Sequence, residues 1–201
     1  MSMFDYDARP VTPGVVLVGG RASRGAYAIR DFLSRNGYPF EWVDADRADV
    51  VAAVVGAAGV EPSALPLCIL PDGSRLASAT VEQVAAGLGM VTAPSLPEYD
   101  LVIVGAGPAG LAAAVYAGSE GLRTVMIEKK APGGQAGSSS FIENYLGFPK
   151  GLSGADLARR AATQALRFGV EIVSGEAVRV GREDPYRTVA LGDGTTLRCH
   201  A

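Results

Sequence analysis

Apolar and polar positions fall into blocks along the whole chain, each the length of one strand or one helix. Val15 to Val18 is an apolar run that predicts a strand. Ile29, Phe32 and Leu33 then recur at helical spacing between Arg24 and Asn36, and Gly37 stands where a helix ends. Pro39 to Asp44 predicts a second strand with Phe40 and Trp42 on one core-facing side. Asp46 to Val60 reads as a helix of small residues, and Leu65 to Leu70 as a strand that opens with Pro66. The turn Pro71-Asp72-Gly73 leads to a short edge strand at Arg75 to Ala77. Thr80 and Gln83 then form a capping-box pattern for a helix ending near Gly87.

The pattern changes after Val91 to Glu98, a stretch with Pro94 and Pro97 that reads as a linker. Leu101 to Val104 is apolar at every position, as a parallel strand covered on both faces must be, and Gly105, Gly107 and Gly110 follow at GxGxxG spacing. Gly105 permits a tight turn, Gly107 keeps no side chain between the backbone and a pyrophosphate, and Gly110 lets the next helix sit close to the sheet. That helix begins at Pro108 and Ala109, and its free N–H groups and positive dipole end suit an anion. Thr124 to Ile127 predicts the second strand. Glu128 ends it, at about the distance from the turn where a carboxylate meets ribose hydroxyls and repels a 2′-phosphate, which favours FAD or NAD over NADP.

Further on, Asp156 to Phe168 carries Leu157, Ala161, Ala165 and Phe168 on one stripe and is closed by Gly169. Glu171 to Val173 reads as a third parallel strand packed beside the first. Ala177 to Val180, Arg187 to Leu191 and Thr195 to Cys199 read as an antiparallel meander with Asp193-Gly194 as a hairpin turn.

Composition narrows the function classes. The 201 residues are 48% hydrophobic and 19% charged, ordinary globular values with room for one large or two small domains. The net charge of −3, without a dense basic cluster, argues against nucleic acid or an anionic membrane as partner. Lys129 and Lys130 read as a solvated loop, and no apolar run reaches membrane-spanning length, so the expected location is cytoplasmic. Cys68 and Cys199 stand far apart, which indicates neither a disulfide framework nor a zinc site. The single histidine, His200, reads as solvated.

Two resemblances follow from these motifs. The order of elements from Val15 to Gly87, with Pro66 opening a strand before a hairpin and a last helix, resembles the thioredoxin and glutaredoxin fold. The loop Gly19-Gly20-Arg21-Ala22-Ser23-Arg24 has no cysteine where that family carries CxxC, so the fold is expected without thiol chemistry. From Tyr99 to about Val180 the chain looks like the FAD domain of thioredoxin reductases. The residues that carry this likeness are the glycine turn, Gly133-Gly134-Gln135, Glu143-Asn144-Tyr145, Gly147-Phe148-Pro149 and Gly151-Leu152-Ser153-Gly154. The resemblance implies FAD contacts from Gly105, Ala106, Gly107, Pro108 and Ala109, from Glu128, from Gly134 and Gln135, from Asn144, and from the backbone at Ala177.

The expected fold is therefore α/β: a thioredoxin-like domain followed by a three-layer Rossmann-type FAD-binding domain, with a parallel sheet plus a β-meander, truncated at the C-terminus. The expected divisions are a tether at 1–13, a thioredoxin-like domain at 14–90, a linker at 91–98 and an FAD domain at 99–201. The resemblance implies an NAD(P)H-dependent flavoprotein disulfide reductase, homodimeric when intact, passing electrons from NADPH through FAD to a dithiol and then to a thioredoxin-like or other disulfide protein. The NADPH site and dithiol are expected only in a missing C-terminal part, and no residue here is assigned a catalytic role. A ferredoxin–NADP reductase-like flavoenzyme without CxxC and a non-catalytic flavin-binding module are the alternatives. The alkyl hydroperoxide reductase flavoproteins fit less well, because they keep a CxxC in their N-terminal part.

Overall fold

A computed structural model describes residues 14–47 and 62–201; the expected tether at 1–13 and most of the expected helix at 46–60 lie outside the described residues. The chain divides into two compact units, residues 1–84 and 85–201.

In the first unit, β1 (Val15–Gly19) pairs in parallel with β2 (Phe40–Asp44). It pairs antiparallel with β3 (Leu67–Ile69), and β4 (Arg75–Leu76) extends that side, giving the order β2-β1-β3-β4. The connection from β1 to β2 is α1 (Arg24–Arg35), which buries Ala26, Ile29, Phe32 and Leu33 as its periodicity predicts. The Ser23 Oγ caps it by accepting from the Ala26 amide at 3.2 Å. A second cluster packs Val18, Val43 and Leu67 together. Phe40 and Trp42 are only half-buried, which corrects the expectation that they face the core. Among the described residues β2 stands at the edge of its sheet, its buried residue is Val43, and the Arg30 guanidinium lies 5.5 Å from the Trp42 ring. The Leu65–Pro66 peptide is cis. The capping box forms: the Gln83 amide donates to Thr80 Oγ1, and the Thr80 amide donates to Gln83 Oε1, at the start of α2 (Val81–Gly87), which crosses the boundary between the units.

The second unit is built in three layers. The middle layer is a parallel sheet of β6 (Leu101–Val104), β7 (Thr124–Glu128) and β8 (Glu171–Ser174). Side chains alternate across it. Ile103 and Met126 face the helices α3 (Pro108–Ser119) and α4 (Gly154–Arg167), where Leu111, Ala114 and Ala165 meet them. Val102, Val125, Ile127 and Val173 face the other way. There they meet Val189, Leu191, Leu197 and Cys199 of a second, mainly antiparallel sheet, in which β9 (Ala177–Glu183), β10 (Tyr186–Leu191) and β11 (Thr196–Cys199) pair antiparallel and β5 (Glu98–Tyr99) joins β11 in parallel, in the order β5-β11-β10-β9. Burial on both faces explains why Leu101 to Ile103 and Val125 to Ile127 read as continuous apolar runs; Val104, at the end of β6, is 53% exposed, which corrects the expectation that the strand is covered along its whole length.

The sheet order β6-β7-β8 corrects one expectation: the third strand pairs with β7, not with β6. Both helices cover the same face, and right-handed crossovers on one face step in one direction, so β8 lands beyond β7.

Candidate functional site

β6 and β7 end side by side, with Val104 paired to Ile127, and the glycine turn leaves from that end. Gly105 takes φ +94°, a left-handed conformation that only glycine adopts without strain. Ala106 is buried and knits the turn to its surroundings: its amide donates to Glu128 Oε2 at 2.7 Å, and its carbonyl accepts from the Gly133 amide at 2.7 Å. Gly107 is the N-cap of α3, extended at φ −69° and ψ 176°, and Pro108 follows at the helix's first turn.

This helix start differs from the others. Ser23 caps α1 and Ser153 caps α4 through their side-chain oxygens, whereas no side chain caps α3. The first-turn amides of α3 are thus left to an external acceptor, at the positive end of the helix dipole. A Cβ on Gly107 would meet nothing within 4 Å, so the approach to those amides is open. A Cβ on Gly110, by contrast, would run into the Gly105 carbonyl oxygen and sit 3.3 Å from Ile103 Cγ2, because helix and strand are in contact there.

Glu128 faces the turn with both oxygens engaged. Oε2 accepts from Ala106, and Oε1 accepts from the Lys130 amide at 2.8 Å. Two backbone donors fix the carboxylate's direction, and each oxygen retains a lone pair for a further donor such as a ribose hydroxyl. Ala177 comes to the same rim, since the Gly175 amide donates to the Glu128 carbonyl at 3.0 Å just before β9 starts. Gly134, at φ +54°, places its Cβ position 3.3 Å from Gly107 Cα, so the 133–134 backbone closes against the turn.

The structure therefore brings Gly105 to Gly110, Glu128, Gly134 and Ala177 around one end of the parallel sheet. Gln135 and Asn144 are exposed. Asn144 lies on a loop closed by reciprocal backbone bonds between Ile142 and Leu152 at 2.8 and 3.0 Å, and no hydrogen bond joins it to the turn. On that loop Phe141 and Tyr145 are exposed and Leu146 is 95% exposed. The seam behind the turn, between Pro108, Leu111, Ala136 and Leu157, holds a cavity of only about 10 Å³. That is room for one water and nothing larger.

Sequence reading missed three parts of this arrangement. Gly133 donates to the turn, a contact the glycine doublet could have signalled. Gly154 starts α4 pressed against the Ala136 carbonyl, with its amide donating to the Ser139 carbonyl at 2.9 Å. Lys129 is not merely solvated, because its Nζ lies 2.5 Å from Glu176 Oε1, a pairing between residues too distant in sequence for local pattern to reveal.

The family described as pyridine nucleotide-disulphide oxidoreductase matches residues 99–201, which contain every residue of this rim. The chain belongs to that family. Among proteins of the pyridine nucleotide-disulphide oxidoreductase type, it is 42% identical to a thioredoxin reductase of Ureaplasma parvum over 99 residues, 49% of this chain and 32% of that one. It is 43% identical to a thioredoxin reductase of Treponema pallidum over 97 residues, 48% of this chain and 32% of that one. Among solved structures, the thioredoxin reductase of Streptococcus pyogenes superposes with a TM-score of 0.50 at 35% identity, covering 53% of this chain and 34% of that one. The chain spans about a third of the length of the curated relatives it matches. No described helix is long and apolar enough to cross a membrane, and no group of three metal-ligating side chains is found among the described residues.

Proposed function

We propose that this chain supplies the FAD-binding part of an NAD(P)H-dependent flavoprotein disulfide reductase of the thioredoxin reductase kind. The observation that carries the reading is the uncapped start of α3 beside a carboxylate already aimed by two backbone amides. A dinucleotide needs both features at once: backbone donors for its pyrophosphate and an oriented acid for its ribose. In this reading the turn from Gly105 to Gly110 holds the pyrophosphate, Glu128 the ribose, and the Ala177 backbone the adenine. Gly134, Gln135 and Asn144 serve the flavin side, where exposed amide side chains can turn toward the polar edge of the ring. The bound flavin would supply two-electron chemistry between NADPH and a dithiol.

The partner in this proposal is a thioredoxin-like or other disulfide protein. For the first unit, the order β2-β1-β3-β4 with β3 antiparallel supports a thioredoxin-like fold used for docking rather than thiol exchange, its only cysteine being the buried Cys68.

The test is the visible spectrum of the purified 201-residue chain after FAD is added and the excess removed by desalting. Flavin bands that stay with the protein at about one per chain are expected. A colourless protein with native circular dichroism would refute the reading.

A further inference from the structure

Gly175 and Glu176 carry the chain from β8 of the parallel sheet to β9 of the antiparallel one, and they belong to neither ladder. Three bonds hold this crossing. The Gly175 amide donates to the Glu128 carbonyl at 3.0 Å, the Gly192 amide donates to the Glu176 carbonyl at 2.8 Å, and Lys129 Nζ lies 2.5 Å from Glu176 Oε1. The first two are backbone bonds that any sequence could make. The third depends on which side chains stand at 129 and 176. Both partners are about half-exposed, at 58% and 49%, so the pair buries no charge and the three-layer core does not depend on it.

Its location gives it a different use. Lys129 directly follows Glu128, whose carboxylate grips the glycine turn, and Glu176 directly precedes Ala177. The ion pair thus ties the residue just after β7 to the residue just before β9 across the rim of the candidate site. We infer that Lys129 and Glu176 form a positioning clasp that holds the 175–177 backbone in register with Glu128 and so shapes the place for the adenosine half of a dinucleotide. The inference rests on the dinucleotide reading given above. Neither side chain touches the ligand in this assignment; both act through the Ala177 backbone and through Glu128.

Calorimetry with ADP and with FAD tests it on the 201-residue chain, on Lys129→Gln and Glu176→Gln, and on the charge swap Lys129→Glu with Glu176→Lys. An exposed ion pair contributes about 0.5 kcal/mol, so each single variant should bind both ligands about two- to threefold more weakly, and the swap should restore affinity. High salt should cost the wild type the same factor and leave the gap between wild type and single variants closed. In the ligand-free chain, the Glu176 and Ala177 amides should exchange faster in the single variants and slow again in the swap. A lower Tm with unchanged affinities would show a structural role only and overturn the clasp, as would equal affinities in all four proteins, with the dinucleotide reading left standing. A natively folded wild type that binds neither ADP nor FAD would overturn that reading and the clasp with it.

Discussion

Gly107 and Gly110 sit three residues apart in one turn, yet the space around them differs completely, and that difference separates folding from binding. A methyl group on Gly110 would collide with the Gly105 carbonyl, a backbone atom with nowhere to go, so Gly110→Ala should cost about 1–3 kcal/mol and lower the Tm. Gly107 is already in a conformation alanine adopts, and its Cβ would meet nothing, so Gly107→Ala should fold as the wild type does. If the pyrophosphate approaches there, the same methyl group should lower FAD retention about tenfold or more. Thermal unfolding and flavin absorbance together decide the matter, and a Gly107→Ala protein that keeps FAD fully would remove the pyrophosphate from this position. The open space at Gly107 and the close helix–strand contact at Gly110 were legible in the spacing, because GxGxxG encodes backbone geometry. The state of Glu128 was only half legible. Its place at the end of β7 followed from the sequence, but not the two amides that aim it, since Ala106 and Glu128 are brought together by strand pairing rather than by local sequence.

At the scale of elements, the apolar runs and the hairpin glycines were enough to place nearly every strand of the second unit, while the segment before β5 shows where such reading stops. Its serine and prolines have linker composition, but the Ser174 amide on the outer edge of β8 donates to the Val91 carbonyl at 2.8 Å, and Glu171 at the start of β8 holds the rest. Its carboxylate accepts from the Ser95 amide at 2.9 Å, from the Ser95 hydroxyl, and from the Tyr99 hydroxyl at 3.0 Å. These partners are more than seventy positions away in sequence, so no window could have shown them. Burial pushes the Glu171 carboxyl up, but the hydrogen bonds from Ser95 and Tyr99 outweigh it and hold the group below its ordinary 4.5. A depressed folded pKa means that the contribution is full above pH 4.5 and is lost as pH falls through the folded value. Glu171→Ala at neutral pH should therefore speed exchange of the Ser95 amide about five- to tenfold, the effect of losing a bond worth roughly 1 kcal/mol, and also that of the Leu96 amide, which donates to the Tyr99 hydroxyl at 3.0 Å, while the Val125 to Ile127 amides stay protected. The wild type should lose the same local protection at low pH. Unchanged exchange at Ser95 in the alanine variant would show that the segment is held by other means.

Across the whole molecule, the two units differ in how far sequence could speak for them. Residues 99–201 match a family and carry motifs on which a dinucleotide site could be proposed; the first unit offered an order of elements and no motif, so its strand order was legible and its task was not. The cysteines connect the units to one question, whether this chain could pass electrons to a disulfide by its own thiols. Cys68 is fully buried in the first unit, and burial pushes its thiol up to about 12; Cys199 is buried in the core of the second, and burial raises its thiol as well. A thiol that stays protonated at neutral pH and has no access to solvent is a poor nucleophile toward a disulfide. Ellman's reagent should therefore label neither cysteine in the native chain over the time that labels both at once in denaturant. Loading with FAD should not change that result, because neither cysteine lies on the rim formed by Gly105, Glu128 and Ala177. Rapid labelling of a native thiol would mean that one of the two cores opens readily, and that cysteine would become the first candidate for a redox role inside these residues. Protection of both would mean that, in the proposed reaction, the dithiol that takes electrons from the flavin comes from outside them.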